Sequence, residues 1–307
     1  MGVDSYFIAR YAATHYYFEQ NTALYNATIE NFKILGQLNI IGKNCNVTDD
    51  NCAAIRDLED KSIDIIYIDP ARRGDNNSKL IDIKDYSPNL LEILNPLLKV
   101  TKHILVKISP MADISYTLKQ LPITTRVDIV AVDNECKELL FYLNRDAKEI
   151  TNPIINCINI NSHNMRESLF SFTAEQERNS NSIFSNQING YIYDANRAII
   201  KGGAFKLIGE RYNLNKIATN THLYHSNVLI EEFPGRIYRL LEVLDFNKST
   251  LKRLHRDYPM ASIISKNFIL DTNSLKRETK IKDGNNYYII ATTLNNNKKI
   301  LLITQPL

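Results

Sequence analysis

Apolar positions over the first 150 residues switch repeatedly between the period of a helix and that of a strand. Val3, Phe7, Ile8 and Tyr11 keep helical spacing, and His15 to Phe18 reads as a short strand running into Glu19-Gln20-Asn21. Thr22 to Leu35 returns to the helix period through Leu24, Ala27, Thr28 and Phe32, with Gly36 where a C-terminal cap belongs. Leu38–Ile41 predicts a strand and Asp49–Leu58 a short helix. Ile63–Ile68 is nearly continuous in apolar residues, as expected of a parallel strand buried on both faces. Leu90, Leu91, Leu94, Leu97 and Leu98 mark a helix, His103–Ile108 a strand, Ile114–Leu121 a helix, and Arg126–Val132 and Glu138–Leu143 two further strands. Strands alternating with helices of this length predict an α/β fold with a parallel, doubly wound sheet. The last two strands are joined by Asp133-Asn134-Glu135-Cys136-Lys137, too short for a crossover helix, so an antiparallel hairpin at one edge is expected.

The pattern changes near Asn152. Residues 159–190 are rich in Asn, Ser and Glu, although Leu169-Phe170-Ser171-Phe172 could pair as a strand. Tyr191–Asp194 opens an ordered unit, and Ala195–Ile208 has helical spacing with Gly202-Gly203 as an anomaly that costs helix stability. Thr221–Tyr224 and Val228–Phe233 read as extended, and Pro234-Gly235 punctuates the chain. Beyond it, Arg236–Val243, Ala261–Phe268, Tyr287–Thr293 and Lys299–Thr304 read as strands, with helices at Asn247–Arg256 and Asp271–Lys280. That β-α-β-α-β-β order suits a small two-layer α+β domain. The expected domains are therefore 1–150, then 151–235 as a linker with a small α+β domain, then 236–307.

Composition narrows the class. The 307 residues are 44% hydrophobic and 23% charged, enough for a sizeable core in two or three domains. A net charge of +3 permits nucleic-acid binding without arguing for it. Cys45, Cys52, Cys136 and Cys157 lie in no zinc-like spacing and no disulfide framework, so no metal is expected and a reducing cytoplasm is. No apolar stretch approaches the length of a membrane span.

Candidate chemistry concentrates where Ile63–Ile68 meets Asp69-Pro70-Ala71-Arg72-Arg73. Pro70 cannot donate to a ladder and holds Asp69 extended, so strand and turn meet at a carboxylate. Open α/β sheets bind ligands at the carboxyl ends of their strands, and this strand brings an acid and two guanidinium groups to that edge. A solvated Asp-Pro turn is the plainer alternative.

The order of elements, Glu19 at a strand end and the Asp69-Pro70-Ala71-Arg72 motif resemble the class I S-adenosylmethionine-dependent methyltransferases. Asp-Pro-Ala-Arg-Arg, the Thr-His-Leu-Tyr-His-Ser stretch from Thr221 and Phe233-Pro234-Gly235-Arg236 narrow the resemblance to a bacterial methyltransferase family with a C-terminal THUMP-like domain, over essentially the whole chain. The resemblance implies a Rossmann-like methyltransferase sheet, a ferredoxin-like domain within 151–235 and a THUMP-like domain at 236–307. It implies S-adenosyl-L-methionine as cofactor, bordered by Gly2, Asp4, Glu19, Asn21 and Asp69, with Glu19 taking the ribose hydroxyls because a carboxylate can accept two hydrogen bonds from a diol. Asp69, Pro70 and Arg72 would carry the chemistry, and RNA (rRNA or tRNA) would be the substrate. Ala71 and Arg72 depart from the family's second proline and aromatic residue, which weakens the case for methylation of a base amine. Met1-Gly2 resembles the tail of the family's Gly-rich turn, so the first, central strand is expected to be missing; the alternative is an intact N-terminus with another segment filling the centre of the sheet.

Other candidates carry two readings each. Lys107 and Ser109 end a strand and could line the same cleft, or Lys107 could be a solvated strand-end lysine. Arg72 and Arg73 could hold a phosphate or brace nearby acids such as Asp75 or Asp82. Cys136, in the hairpin turn, could be a nucleophile but reads better as a structural thiol. His222 and His225 read as packing or surface residues, not metal ligands. Lys248, Lys252, Arg253 and Arg256, with His255 and Tyr258, could dock RNA or form a solvated helix face. Two function classes follow: an RNA methyltransferase, or a non-catalytic RNA- or protein-binding relative of the same fold.

Overall fold

The computed structural model describes residues 2–59, 61–72, 82–147 and 152–307. The chain divides into two compact units, Met1–Thr125 with Phe141–Ile150, and Arg126–Leu140 with Thr151–Leu307.

The first unit contains α1 (Val3–Ala9), β1 (His15–Glu19), α2 (Thr22–Ile34), β2 (Ile40–Asn44), α3 (Asp49–Arg56), β3 (Ile65–Ile68), β4 (Ala71–Arg72), a 3-10 turn (Ile83–Asp85), β5 (Tyr86–Ser87), α4 (Leu90–Val100), β6 (His103–Ile108) and α5 (Ile114–Gln120). Asn21 starts α2 by accepting the Leu24 N–H at 3.0 Å, and Gly36, at a φ of +70°, follows its end. α4 buries Leu90, Ile93, Leu97 and Val100, the inward stripe of an amphipathic helix. β1 runs parallel to β2, from His15 opposite Ile40 to Glu19 opposite Asn44. β3 runs parallel to β6, from Ile65 opposite His103 to Ile68 opposite Val106. β6 alternates cleanly, with Ile104, Val106 and Ile108 buried and Lys107 on the other face.

The expectation that the Ile63–Ile68 strand is buried on both faces needs correction. β3 ends its sheet, paired with β6 alone among the described strands, and Ile65 is 44% exposed. An apolar run reports the residues a strand offers, not the number of neighbours that cover it.

β7 (Thr124–Val132) and β8 (Glu135–Asn144) form a hairpin around Asp133-Asn134, both at positive φ (49° and 64°), the geometry that matches the twist of two-residue hairpins. The turn is tighter than expected, so Cys136 lies on β8 and not in the turn. Nor is the hairpin at an edge. β9 (Ile154–Ile160) runs parallel to β7, and β10 (Glu167–Thr173) pairs antiparallel with β9. The stretch expected to be a linker thus begins with two sheet strands, anchored by Ile155, Cys157, Phe170 and Phe172.

The second unit continues with α6 (Ala174–Asn179), β11 (Ile183–Phe184), β12 (Tyr191–Ala195), α7 (Arg197–Gly202), α8 (Leu207–Arg211), β13 (Asn215–Ala218), β14 (Thr221–Ser226), β15 (Gly235–Asp245), α9 (Lys248–Asp257), β16 (Ser262–Lys266), α10 (Thr272–Thr279), β17 (Tyr288–Thr293) and β18 (Lys299–Pro306). The single helix expected over Ala195–Ile208 is two, because Gly203 breaks it at a φ of +83°. A Cβ on Gly202 would fall 2.8 Å from Cys157 Sγ, so the anomalous Gly-Gly pair serves a close approach and a helix stop. Val228–Phe233 forms no strand.

Eight strands form one sheet in the order β11-β13-β14-β12-β15-β18-β17-β16. Ile192, Ile217 and Leu223 from its first half share one core cluster with Tyr238, Ile290, Ile300 and Leu302 from its second. Lys266 of β16 pairs with Asp194 of β12, both side chains largely buried. The two halves of this sheet therefore share a core and an ion pair. A second cluster, including Leu244, Leu254, Leu275 and Ile303, brings α9 and α10 into contact with the sheet.

Candidate functional site

The site begins with a glycine. Gly2 has a φ of +70°, and a Cβ there would lie 2.4 Å from Thr28 Cγ2 and 2.7 Å from Phe32 Cζ. The backbone ahead of α1 can therefore press against α2, and this fixes Asp4 in the first turn of α1. Asp4 Oδ2 accepts from Lys107 Nζ at 2.6 Å and from the Tyr67 hydroxyl at 2.6 Å. Lys107 Nζ also lies 2.9 Å from Asp69 Oδ2. Parallel pairing of β3 with β6 brings Asp69, just beyond β3, beside Lys107, so residues from three parts of the sequence converge. Pro70 is buried, whereas the Asp69 side chain is about half exposed.

The electrostatics follow from these contacts. Burial pulls the Lys107 ammonium down, but the hydrogen bonds to Asp4 and Asp69 outweigh it and hold the group protonated far above the ordinary lysine range. Burial raises the Tyr67 phenol, and its bond to Asp4 raises it further, so it remains a neutral donor. Burial alone would raise the Asp4 carboxyl. The Lys107 and Tyr67 donors overcome that and hold it below its usual value. One ammonium thus bridges two carboxylates, with a neutral phenol beside them. Such a network can orient an acid at a strand end and offer hydrogen-bond acceptors to a ligand.

Glu19 stands half-buried at the end of β1, where its Oε1 accepts the Asn21 N–H at 2.8 Å. Asn21 spends its side-chain oxygen on the α2 cap. Ser109 Oγ accepts the Met111 N–H at 3.3 Å, within the turn after β6. The backbone of Arg72 pairs with Tyr86 across β4 and β5, while its side chain and the whole of Arg73 fall outside the described residues. Tyr67 is the member of the cluster that sequence reasoning missed. Its spacing of two from Asp69, which puts alternate strand residues on one face, was the available signal.

A second acid cluster lies nearby in sequence. Asp82 accepts from Tyr116 Oη at 2.9 Å and Gln120 Nε2 at 2.7 Å. Burial opposes ionisation, but the Gln120, Lys84 backbone and Tyr116 donors prevail and bring it down to about 2. It ties the 3-10 turn to α5.

In the second unit, Cys136 is half-buried and burial pushes its thiol up, against the pull of Lys201 and Arg197, the opposite of an activated nucleophile. His222 stacks on Phe205 with centroids 3.7 Å apart, and His225 is buried. Among the described residues no group of three His, Cys, Asp or Glu side chains is arranged to hold a metal. On α9, Lys248, Lys252 and Arg256 are exposed. Arg253 is not open in the same way: it binds Glu242 at 2.7 and 2.5 Å and Asp257 at 3.0 Å. Arg256 reaches Asp257 at 2.8 Å and stays 78% exposed.

A solved structure described as a putative methyltransferase from Porphyromonas gingivalis W83 matches this chain with a TM-score of 0.88 and 32% identity, over 99% of this chain and 74% of that one. The chain belongs to that methyltransferase family. Family models further match a ferredoxin-like domain at residues 191–234 and a THUMP domain-like region at 235–306. None of the curated proteins matches. In this methyltransferase the boundary between the two matched regions falls inside one eight-stranded sheet, at the start of β15. No helix among the described residues is long and apolar enough to cross a membrane.

Proposed function

We propose that the chain is an S-adenosylmethionine-dependent methyltransferase of RNA, rRNA or tRNA, working in the cytoplasm. The observation that carries this reading is the convergence of Asp4, Tyr67, Asp69 and Lys107 at the carboxyl ends of two parallel strands, where open α/β sheets take their ligands. The residues fit the cofactor. Glu19 offers a half-exposed carboxylate at the end of a third strand, and Gly2 lets the start of α1 pack closely on α2, which places Asp4. When bound, the cofactor supplies an electrophilic methyl group. Glu19 would hold its ribose hydroxyls, Gly2, Asp4 and Asn21 would border it, and Asp69-Pro70 would stand at the target atom. Lys107 keeps Asp69 oriented through their 2.9 Å ion pair. The THUMP-like region supports RNA as the substrate class, with Lys248, Lys252 and Arg256 as the exposed cations of α9.

The test is transfer of tritiated methyl groups to RNA from cells lacking the gene. Asp69→Ala should abolish incorporation and leave the circular dichroism spectrum unchanged, since the side chain is half exposed at a strand end. Full turnover in Asp69→Ala would move the active centre elsewhere. RNA binding with no incorporation by the parent protein would leave the non-catalytic reading.

A further inference from the structure

We propose that Asp4, Lys107 and Asp69 discriminate by charge, so that the site holds the cationic S-adenosylmethionine more tightly than S-adenosylhomocysteine, whose sulfur is neutral. Lys107 sets the size of that preference. This rests on the cofactor reading above and goes beyond it, since holding a cofactor does not require telling it from its product.

The charge count follows from the geometry. Lys107 Nζ lies 2.6 Å from Asp4 Oδ2 and 2.9 Å from Asp69 Oδ2, so two carboxylates share one ammonium. Tyr67 donates to the same Asp4 oxygen at 2.6 Å as a neutral phenol and adds no charge. One negative charge is left uncompensated within this cluster.

Placement matters as much as the count. The lysine is the inner member, its side chain 20% exposed, while those of Asp4 and Asp69 are 44% and 49% exposed. An entering ligand therefore meets the carboxylates first and the balancing cation behind them. Lys107 also keeps the pair ionised. Two carboxylates so close would otherwise raise each other until one took up a proton, whereas here Asp4 is held below its usual value.

The reaction decides which charge on the ligand is felt. Transfer needs sulfur, methyl carbon and acceptor atom held together in near-attack geometry. A carboxylate at the target atom, the place proposed for Asp69, therefore stands near the sulfur as well. The sulfonium is the charge that S-adenosylmethionine has and S-adenosylhomocysteine lacks. The amino-acid ammonium and carboxylate are common to both and cancel in the comparison.

The experiment changes the cluster's charge in both directions. Calorimetric titrations at about pH 8, above the carboxylate range, would compare the parent with Asp4→Asn and Lys107→Met. The ligands are S-adenosylmethionine, S-adenosylhomocysteine and sinefungin, which bears an ammonium where the sulfonium stands. Asp4→Asn removes the excess negative charge and keeps the side chain's shape, whereas Lys107→Met doubles the excess. The preference for S-adenosylmethionine over S-adenosylhomocysteine should fall about 3-fold to 10-fold in Asp4→Asn, the effect of one charge roughly 6 Å away in a half-exposed site. It should rise by a similar factor in Lys107→Met, with sinefungin following S-adenosylmethionine in both. A lost shape would weaken all three ligands together and could not move the ratio in opposite directions. Should Lys107→Met fail to fold, Asp4→Asn decides alone. If the ligands bind but the ratio keeps the parent's value in a folded variant, or sinefungin follows S-adenosylhomocysteine, the cluster reads no charge and the cofactor reading stands. If the parent binds none of the three, the cofactor reading fails and the discrimination with it.

Discussion

Lys107 Nζ stands 2.9 Å from Asp69 Oδ2, joining residues 38 apart in sequence across one parallel strand pair. The same ammonium holds Asp4, so a single lysine sets the positions of two acids that no local pattern relates.

Lys107→Met should therefore leave Asp4 and Asp69 without their common cation. The expected loss is about 1–2 kcal/mol at neutral pH, modest because Asp69 is half exposed. Asp4 is depressed in the folded protein, so its contribution is present above the usual carboxylate range and lost as pH falls below it. The gap between parent and variant in urea midpoints should narrow on acidification. A gap that stays constant down to acid would mean that Lys107 acts through packing and not through charge.

Glu19→Ala tests the cofactor assignment. Affinity for S-adenosylmethionine by calorimetry should fall by about 1.5–3 kcal/mol, the range for losing hydrogen bonds to a charged group. Unchanged affinity would remove Glu19 from the ribose.

Replacing Lys248, Lys252 and Arg256 of α9 with alanine, while keeping Arg253 for its bonds to Glu242 and Asp257, should weaken RNA binding across sequences. The salt slope should shrink by about 0.7 per lost phosphate contact, with cofactor affinity unchanged. A triple variant with the parent's slope would make α9 a solvated face.

His222 makes a pH prediction. Burial, with Lys216 and Lys266 adding to it, lowers its imidazole to about 4. An unfolded histidine takes its proton near 6.5, so between those values the unfolded chain binds more protons and stability falls as pH falls, by up to about 3 kcal/mol. His222→Phe, which keeps a ring against Phe205, should flatten that part of the profile in urea titrations at stepped pH. An equally steep profile in the variant would assign the effect to other groups.

Where neighbours in sequence decide an element, the chain could be read directly. His103–Ile108 has the expected bounds because apolar alternation and Pro110 lie within it or beside it. Asp271 and Asn247 start α10 and α9 with their own side chains, which is why both helices and the β-α-β-α-β-β order were legible. Asp69-Pro70 could be recognised as a strand end for the same reason, since proline and a carboxylate after an apolar run act locally.

Tertiary structure decided whatever depends on a distant partner. The apolar run before Asp69 looked enclosed, but among the described strands β3 ends its sheet, because sheet order is set by other strands. Arg253 carries the same charge as Lys252, yet Glu242, from β15, occupies it. Gly202-Gly203 looked like a flaw until Cys157 was placed against it. Lys107 had two readings in sequence, and only the convergence of α1, β3 and β6 made it a bridge. Spacing along a chain specifies which face a residue occupies. What stands opposite that face is set by packing between segments far apart in sequence.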